Sequence, residues 1–256
     1  MVARIVGMLA CLLALSACAV VQTPPIFKIA LLAPFEGTYR DIGYNALYAA
    51  RLALRDNANV MLLAVDDGGT PDQAARHAAA LAHDPAIIGV LLIGPFATTM
   101  QAQNNLGALQ AIIVGDWSAL PQSANIVQLS AANMLSFRTQ ANADLISDER
   151  LDMESALRVA DQPLVFLSPG TLPDETYQAT YRAESEFAPP PNTLATLVSD
   201  ATDLLVESYT TAIPVADLEV TLRNGVISFQ DGSWSDAPVN RYRWNIDGRY
   251  EVTRLN

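Results

Sequence analysis

From Phe27 onward the chain alternates short, wholly apolar runs with longer stretches in which small apolar residues recur at helical spacing. Phe27 to Ala33, Val60 to Val65 and Ile87 to Ile93 have strand length and no polar face, the pattern of parallel strands covered on both sides. Between them the alanine-rich stretches Ala46 to Leu54 and Ala74 to Ala82 predict helices, the second announced by Thr70-Pro71-Asp72, a capping residue followed by proline at the first helical position. A third helix over Thr98 to Leu109 and a fourth strand over Ala111 to Val114 continue the alternation. Repeated crossovers of this length predict an α/β fold with a doubly wound, mainly parallel sheet. Further on, Pro163 to Pro169 reads as a strand, and Asp174 to Phe187 and Asn192 to Ala212 as helices. The last of these buries Leu194, Leu197, Val198, Ala201, Leu204, Leu205 and Tyr209. Val226 to Phe229, Asn240 to Asn245 and Arg249 to Thr253 read as a C-terminal β extension turning at Asp231-Gly232 and Asp247-Gly248.

The N-terminus sets the compartment. Arg4 is the only charge among the first seventeen residues, Ile5 to Leu15 is almost wholly apolar, and Ser16-Ala17 supply small residues before Cys18, the pattern of a secretory signal. The apolar run is too short to span a bilayer. Leu15-Ser16-Ala17-Cys18 is similar to the bacterial lipoprotein box, which implies cleavage before Cys18 and lipidation of its sulfur; the alternative is an ordinary cleaved signal that contains a cysteine. With Cys11 removed, no internal disulfide can form, and stability rests on a core. Beyond the signal the chain carries 14 basic and 27 acidic residues, a net charge of −13 that repels nucleic acid.

Several segments together resemble the type I periplasmic solute-binding proteins, the branched-chain amino acid binding family of ABC transporters. Phe27 to Gly43 resembles the family's opening strand and loop, and Val65-Asp66-Asp67-Gly68-Gly69-Thr70-Pro71 its acidic turn. Ile93-Gly94-Pro95-Phe96-Ala97-Thr98-Thr99 resembles a ligand-contacting turn, and Phe137-Arg138-Thr139 the approach to the hinge. In the family a second lobe the size of an independent domain follows that hinge. Here only Gln140 to Gln162 intervenes, a polar, helix-compatible insert. The predicted organisation is a signal at 1–17, a linker at 18–25 and one α/β lobe from 26–139 and 163–225, with a helical insert at 140–162 and closing strands at 226–256. The resemblance implies that most of the second lobe is missing.

The resemblance implies extracytoplasmic binding of a small polar ligand, an amino acid or other carboxylate, with an ABC permease as partner and a lipid anchor in the membrane. Loss of the second lobe adds two partners to consider: a complementary second-lobe protein, or a protein bound by a single-lobe scaffold. Thr98 and Thr99 stand where a strand-loop turn meets a helix; they hold the ligand's carboxylate, as the family implies, or they are simple caps. Asp116, Trp117 and Ser118 match the second ligand-contacting turn. Ser118 fits that role, whereas Asp116 and Trp117 depart from the family's small residues and point to a different ligand or to a packing surface. Tyr39 covers a ligand or merely the sheet end.

Catalysis finds little support in the residues, and an enzyme is the least supported class. His77 and His83 stand about 240° apart around one helix and cannot share a metal. Neither a phosphate loop nor a nucleophile elbow is present, and no cofactor is expected. Asp66-Asp67 before Gly-Gly-Thr-Pro reads as a turn rather than a cation site.

Overall fold

The computed structural model describes residues 26–117, 119–132, 134, 146–147, 164–244 and 250–254. Strands β1 (Phe27–Ala33), β2 (Val60–Asp66), β3 (Ile87–Leu92) and β4 (Ala111–Val114) lie close to the predicted apolar runs. Helices α1 (Arg40–Leu54), α2 (Pro71–Ala82) and the short α3 (Met100–Asn104) connect them. The α2 start follows its signal: Thr70 accepts from the Gln73 amide and Pro71 opens the helix. A fifth strand, β5 (Ile126–Ala131), completes the parallel set. Its sequence, IVQLSA, carries two polar side chains in a strand buried throughout, so it lacks the unbroken apolar run that marks the others.

The first sheet has seven strands in the order β10-β11-β5-β4-β3-β1-β2. Its outermost pair, β10 (Phe229–Gln230) and β11 (Ser233–Trp234), is a hairpin closed by Asp231 and Gly232, both at positive φ, as the Asp-Gly signal predicts. From β1 the chain steps one way to β2, then back past β1 to β3 and on to β4. Right-handed crossovers therefore place α1 on one face and α2 with α3 on the other. Helix α5 (Thr193–Thr211) packs beside α1 and over β3 and β4, and α4 (Glu175–Ala183) leans on α1. The predicted α5 face is buried except at Tyr209, which is 41% exposed and rests its ring on Phe27 at 4.8 Å between centroids. The mainly parallel α/β architecture is that of one doubly wound lobe.

The return strand differs from expectation. β7 (Leu164–Ser168) does not join the first sheet but lies in a second, ordered β13-β12-β7-β6, with β6 (Ile146–Ser147), β12 (Asn240–Trp244) and β13 (Tyr250–Arg254). Its pairing with β12 is antiparallel, and Tyr242 explains why it is held there. That ring stacks on Phe166 at 5.1 Å and its hydroxyl donates to the Gly170 carbonyl at 2.7 Å. Of the expected helical insert, Ile146 and Ser147 form a strand, and the rest lies outside the described residues. The small hairpin of β8 (Val220–Leu222) and β9 (Gly225–Ile227) stands apart from both sheets.

Candidate functional site

The reversal of winding direction between β1 and β3 makes their carboxyl ends a topological switch point, because α1 leaves on one side and α3 on the other. Three turns meet there. Asp66 ties two of them, its carboxylate accepting from the Phe35 amide at 2.7 Å and from the Gly68 amide at 2.7 Å. Asp67 accepts from the Gly69 amide at 2.9 Å through Oδ1, whereas Oδ2 is buried with no partner among the described residues. Burial pushes the Asp67 carboxyl up, against the pull of the Gly69 amide. Gly94 faces that oxygen. A Cβ there would stand 2.8 Å from Pro34 Cδ and 3.7 Å from Asp67 Oδ2, and its φ of +98° also excludes most side chains. The Asp-Asp turn expected from sequence thus also ties together the turns that follow β1 and β3. The position of Asp67 across the end of β1 had no signal beyond the pair itself.

The predicted ligand turns lie at this same edge, and the side-chain donors of Thr98, Thr99 and Trp117 are committed. Thr98 is 1% exposed and donates its hydroxyl to the Gly94 carbonyl at 2.8 Å. Thr99 donates to the Phe96 carbonyl at 2.9 Å and accepts from the Ala102 amide at 3.3 Å, so it caps α3. Trp117 is buried in the core, its indole N–H given to the Val114 carbonyl at 2.7 Å. Asp116 is half-buried on the same turn, and Ser118 and Cys18 lie outside the described residues. Tyr39, 38% exposed, ends a 3₁₀ turn at Gly37–Tyr39; the groove of about 580 Å³ beside it is lined by Phe35, Tyr44, Tyr48 and Phe187 among others, not by Tyr39.

Sequence reasoning did not single out Gln103. This buried side chain donates to the Thr98 carbonyl at 2.8 Å and the Leu120 carbonyl at 3.1 Å and accepts from the Gln122 amide at 3.0 Å. It thereby locks the turn after β3 to the turn after β4. A glutamine on a polar helix stretch gives no sign of such a role. Among the described residues no group of three metal-ligating side chains converges, and no helix is long and apolar enough to cross a membrane.

Neither a protein-family model nor a curated protein matches the sequence. Solved structures do match the fold. The solute-binding protein of an ABC transporter from R. palustris, in complex with benzoate, superposes with a TM-score of 0.63 at 12% identity over 91% of this chain and 96% of that one. The branched-chain amino acid transporter substrate-binding protein LivJ from Streptococcus pneumoniae, in complex with isoleucine, gives 0.63 at 13% identity over 90% and 99%. A leucine-binding protein, LivK, from Thermotoga maritima gives 0.63 at 11% over 90% and 98%. The fold is that of the type I periplasmic binding proteins.

Proposed function

We propose that the chain is an extracytoplasmic, non-enzymatic lipoprotein of solute-binding type, anchored through Cys18, that takes a small polar ligand such as an amino acid or other carboxylate at the carboxyl edge of its first sheet and serves an ABC permease. The observation that carries this reading is the topological switch point between β1 and β3, with the turns of Pro34, Asp67, Gly94 and Thr98 gathered at one sheet edge. Magnitudes set its strength. Each charge-assisted hydrogen bond contributes roughly 1.5–3 kcal/mol, and micromolar affinity requires about 8 kcal/mol net of ordering costs. The hydroxyl protons of Thr98 and Thr99 and the indole proton of Trp117 already serve backbone carbonyls, so these side chains have no proton left for a carboxylate.

That commitment of donors favours a second reading, in which the lobe is a scaffold for a protein partner or for a complementary second-lobe protein. Calorimetry against amino acids and small carboxylates separates the two. The isolated protein should bind them more weakly than about 100 μM, roughly 5.5 kcal/mol. Low-micromolar binding abolished by Thr98→Ala would establish the lobe as a receptor in its own right. No saturable binding at millimolar ligand would leave the scaffold reading standing. The anchor is tested apart: the membrane fraction should hold a chain beginning at lipidated Cys18, and recovery of Cys18→Ala there at the wild-type level would refute it.

A further inference from the structure

On the helical face, remote in topology from the strand ends, α1, α4, α5 and the β8–β9 turn line an open groove of about 610 Å³. Its organisation depends on Asp200. That carboxylate, 1% exposed, accepts from the Arg223 amide at 3.1 Å, the Asn224 amide at 2.9 Å and Asn224 Nδ2 at 2.7 Å, which pins the hairpin turn onto α5. Arg223 is held in turn: its guanidinium lies 4.7 Å from the centre of the Tyr177 ring and donates to Asp174 Oδ2 at 3.0 Å. Asp203, one helical turn beyond Asp200 and lining the same groove, is half-buried and has no hydrogen-bond or ion-pair partner among the described residues.

We propose that this groove is a binding site for a small primary alkylammonium ion, whose charged head is taken by Asp203. The ion supplies what the site lacks. Among the described residues the only cation on its wall, Arg223, is engaged by Asp174 and Tyr177, so the free charge facing the space is that of a carboxylate. Neutral acceptors line the same groove. Thr180 has given its proton to the Thr176 carbonyl at 2.7 Å, and Ser199 shares a 2.8 Å bond with the Tyr177 hydroxyl, leaving oxygen lone pairs to receive ammonium N–H groups. Leu52, Ala53 and Leu222 provide an apolar wall for an alkyl tail. The volume suits a small molecule. A carboxylate ligand would meet two aspartates, and a quaternary ammonium would find the Tyr177 face already covered by Arg223.

The groups facing Asp203 are Asp200 on its own helix, Tyr177 from α4 and Arg223 from the hairpin turn; α1 brings only apolar residues to the groove. Burial, then Asp200, push the Asp203 carboxyl up to about 6, with Arg223 opposing. An alkylammonium ion stays charged across this range, so its affinity should rise about tenfold between pH 5 and pH 7.5 as Asp203 ionises.

The test is calorimetry of the full chain with n-butylammonium chloride, sodium butyrate and tetramethylammonium chloride at both pH values, with carboxyl-carbon NMR of Asp203 alongside. Saturable binding of n-butylammonium alone, stronger at pH 7.5, is expected, with the Asp203 carboxyl titrating at lower pH when the amine is present. Asp203→Asn should weaken binding at least tenfold while its urea midpoint stays at or above wild type. The proposal is overturned if n-butylammonium fails to saturate by about 20 mM, far above any specific site on the affinity scale. It is equally overturned if butyrate or tetramethylammonium binds as well, or if Asp203→Asn binds as wild type does. Should Asp203→Asn fail to fold, the carboxyl titration of the wild-type protein decides: no shift with amine refutes the site.

Discussion

Gly43 lies so close to the carbonyl oxygen of Pro34 that a Cβ built on it would stand 1.8 Å away. The first turns of α1 thus cross directly over the end of β1, which fixes the loop carrying Glu36, Gly37 and Tyr39. The two closest atoms belong to the Pro34 backbone, so no side-chain movement relieves the clash. Gly43→Ala should therefore destabilise the protein by at least ~2 kcal/mol, read as a lower urea midpoint at unchanged slope.

Asp200 accepts three donors from Arg223 and Asn224 in a buried setting. Asp200→Ala leaves those donors unpaired and should cost about 3 kcal/mol. Hydrogen exchange at the Arg223 and Asn224 amides should accelerate in the same variant, because the turn is no longer tied to α5. Unchanged exchange there would refute the tie.

Asp203 makes stability depend on pH with a definite sign. Its folded-state carboxyl titrates at about 6, above the unfolded value, so the folded chain retains a proton that the unfolded chain has released. Stability from this group is fully present below about pH 4, declines as pH rises to about 6 and stays lower above. Asp67 and Asp200 are also raised, chiefly by burial, and contribute in the same direction. Asp203→Asn isolates one group: it should match wild type near pH 4 and exceed it by roughly 1–3 kcal/mol at pH 7.5. A constant difference across the range would contradict the assignment.

Trp117 is a core residue that spends its only donor on Val114. Trp117→Phe should lower stability by roughly 1–2 kcal/mol through the unpaired carbonyl. Trp117→Ala should cost about 3–5 kcal/mol. Neither should create measurable amino acid binding, and a gain of affinity in either variant would show that the indole blocks a receptive pocket.

Thr98→Val keeps the shape and removes the proton that holds the Gly94 carbonyl. A loss of about 1–2 kcal/mol in chemical unfolding is expected whatever the ligand. Wild-type stability in this variant would free the hydroxyl for a ligand role.

Much of the first sheet was legible in the linear pattern because β1, β3 and β4 are covered on both faces, which leaves an unbroken apolar run such as Leu31-Leu32 or Leu91-Leu92. β5 escaped for the converse reason: Gln128 and Ser130 break its run, and the buried Gln128 is accommodated by donating to the Gly115 carbonyl at 3.1 Å, a partner thirteen residues away. Caps and turns were equally plain, since Thr70 before Pro71 and Asp231-Gly232 act on neighbours a few residues off. Sheet membership was not. Whether Leu164–Ser168 rejoins the first sheet or forms another depends on pairing with Asn240–Trp244, more than seventy residues on, and its own apolar residues suit either.

The site divides along the same line. The sequence by itself determined that small, polar and glycine residues follow β1, β2, β3 and β4, because turns at strand ends require them. Only the tertiary structure decided that Asp67 reaches across β1 to Gly94, that the hydroxyl of Thr98 faces inward to a carbonyl, and that Trp117 fills core space. Each of these depends on which backbone group a short side chain meets after the strands have been ordered β2-β1-β3-β4. Asp203 is the sharpest case. In sequence it is one more acidic residue on an amphipathic helix, and it becomes a half-buried, unpaired carboxylate only because Arg223, twenty positions later, is drawn to Asp174 and Tyr177 on another helix.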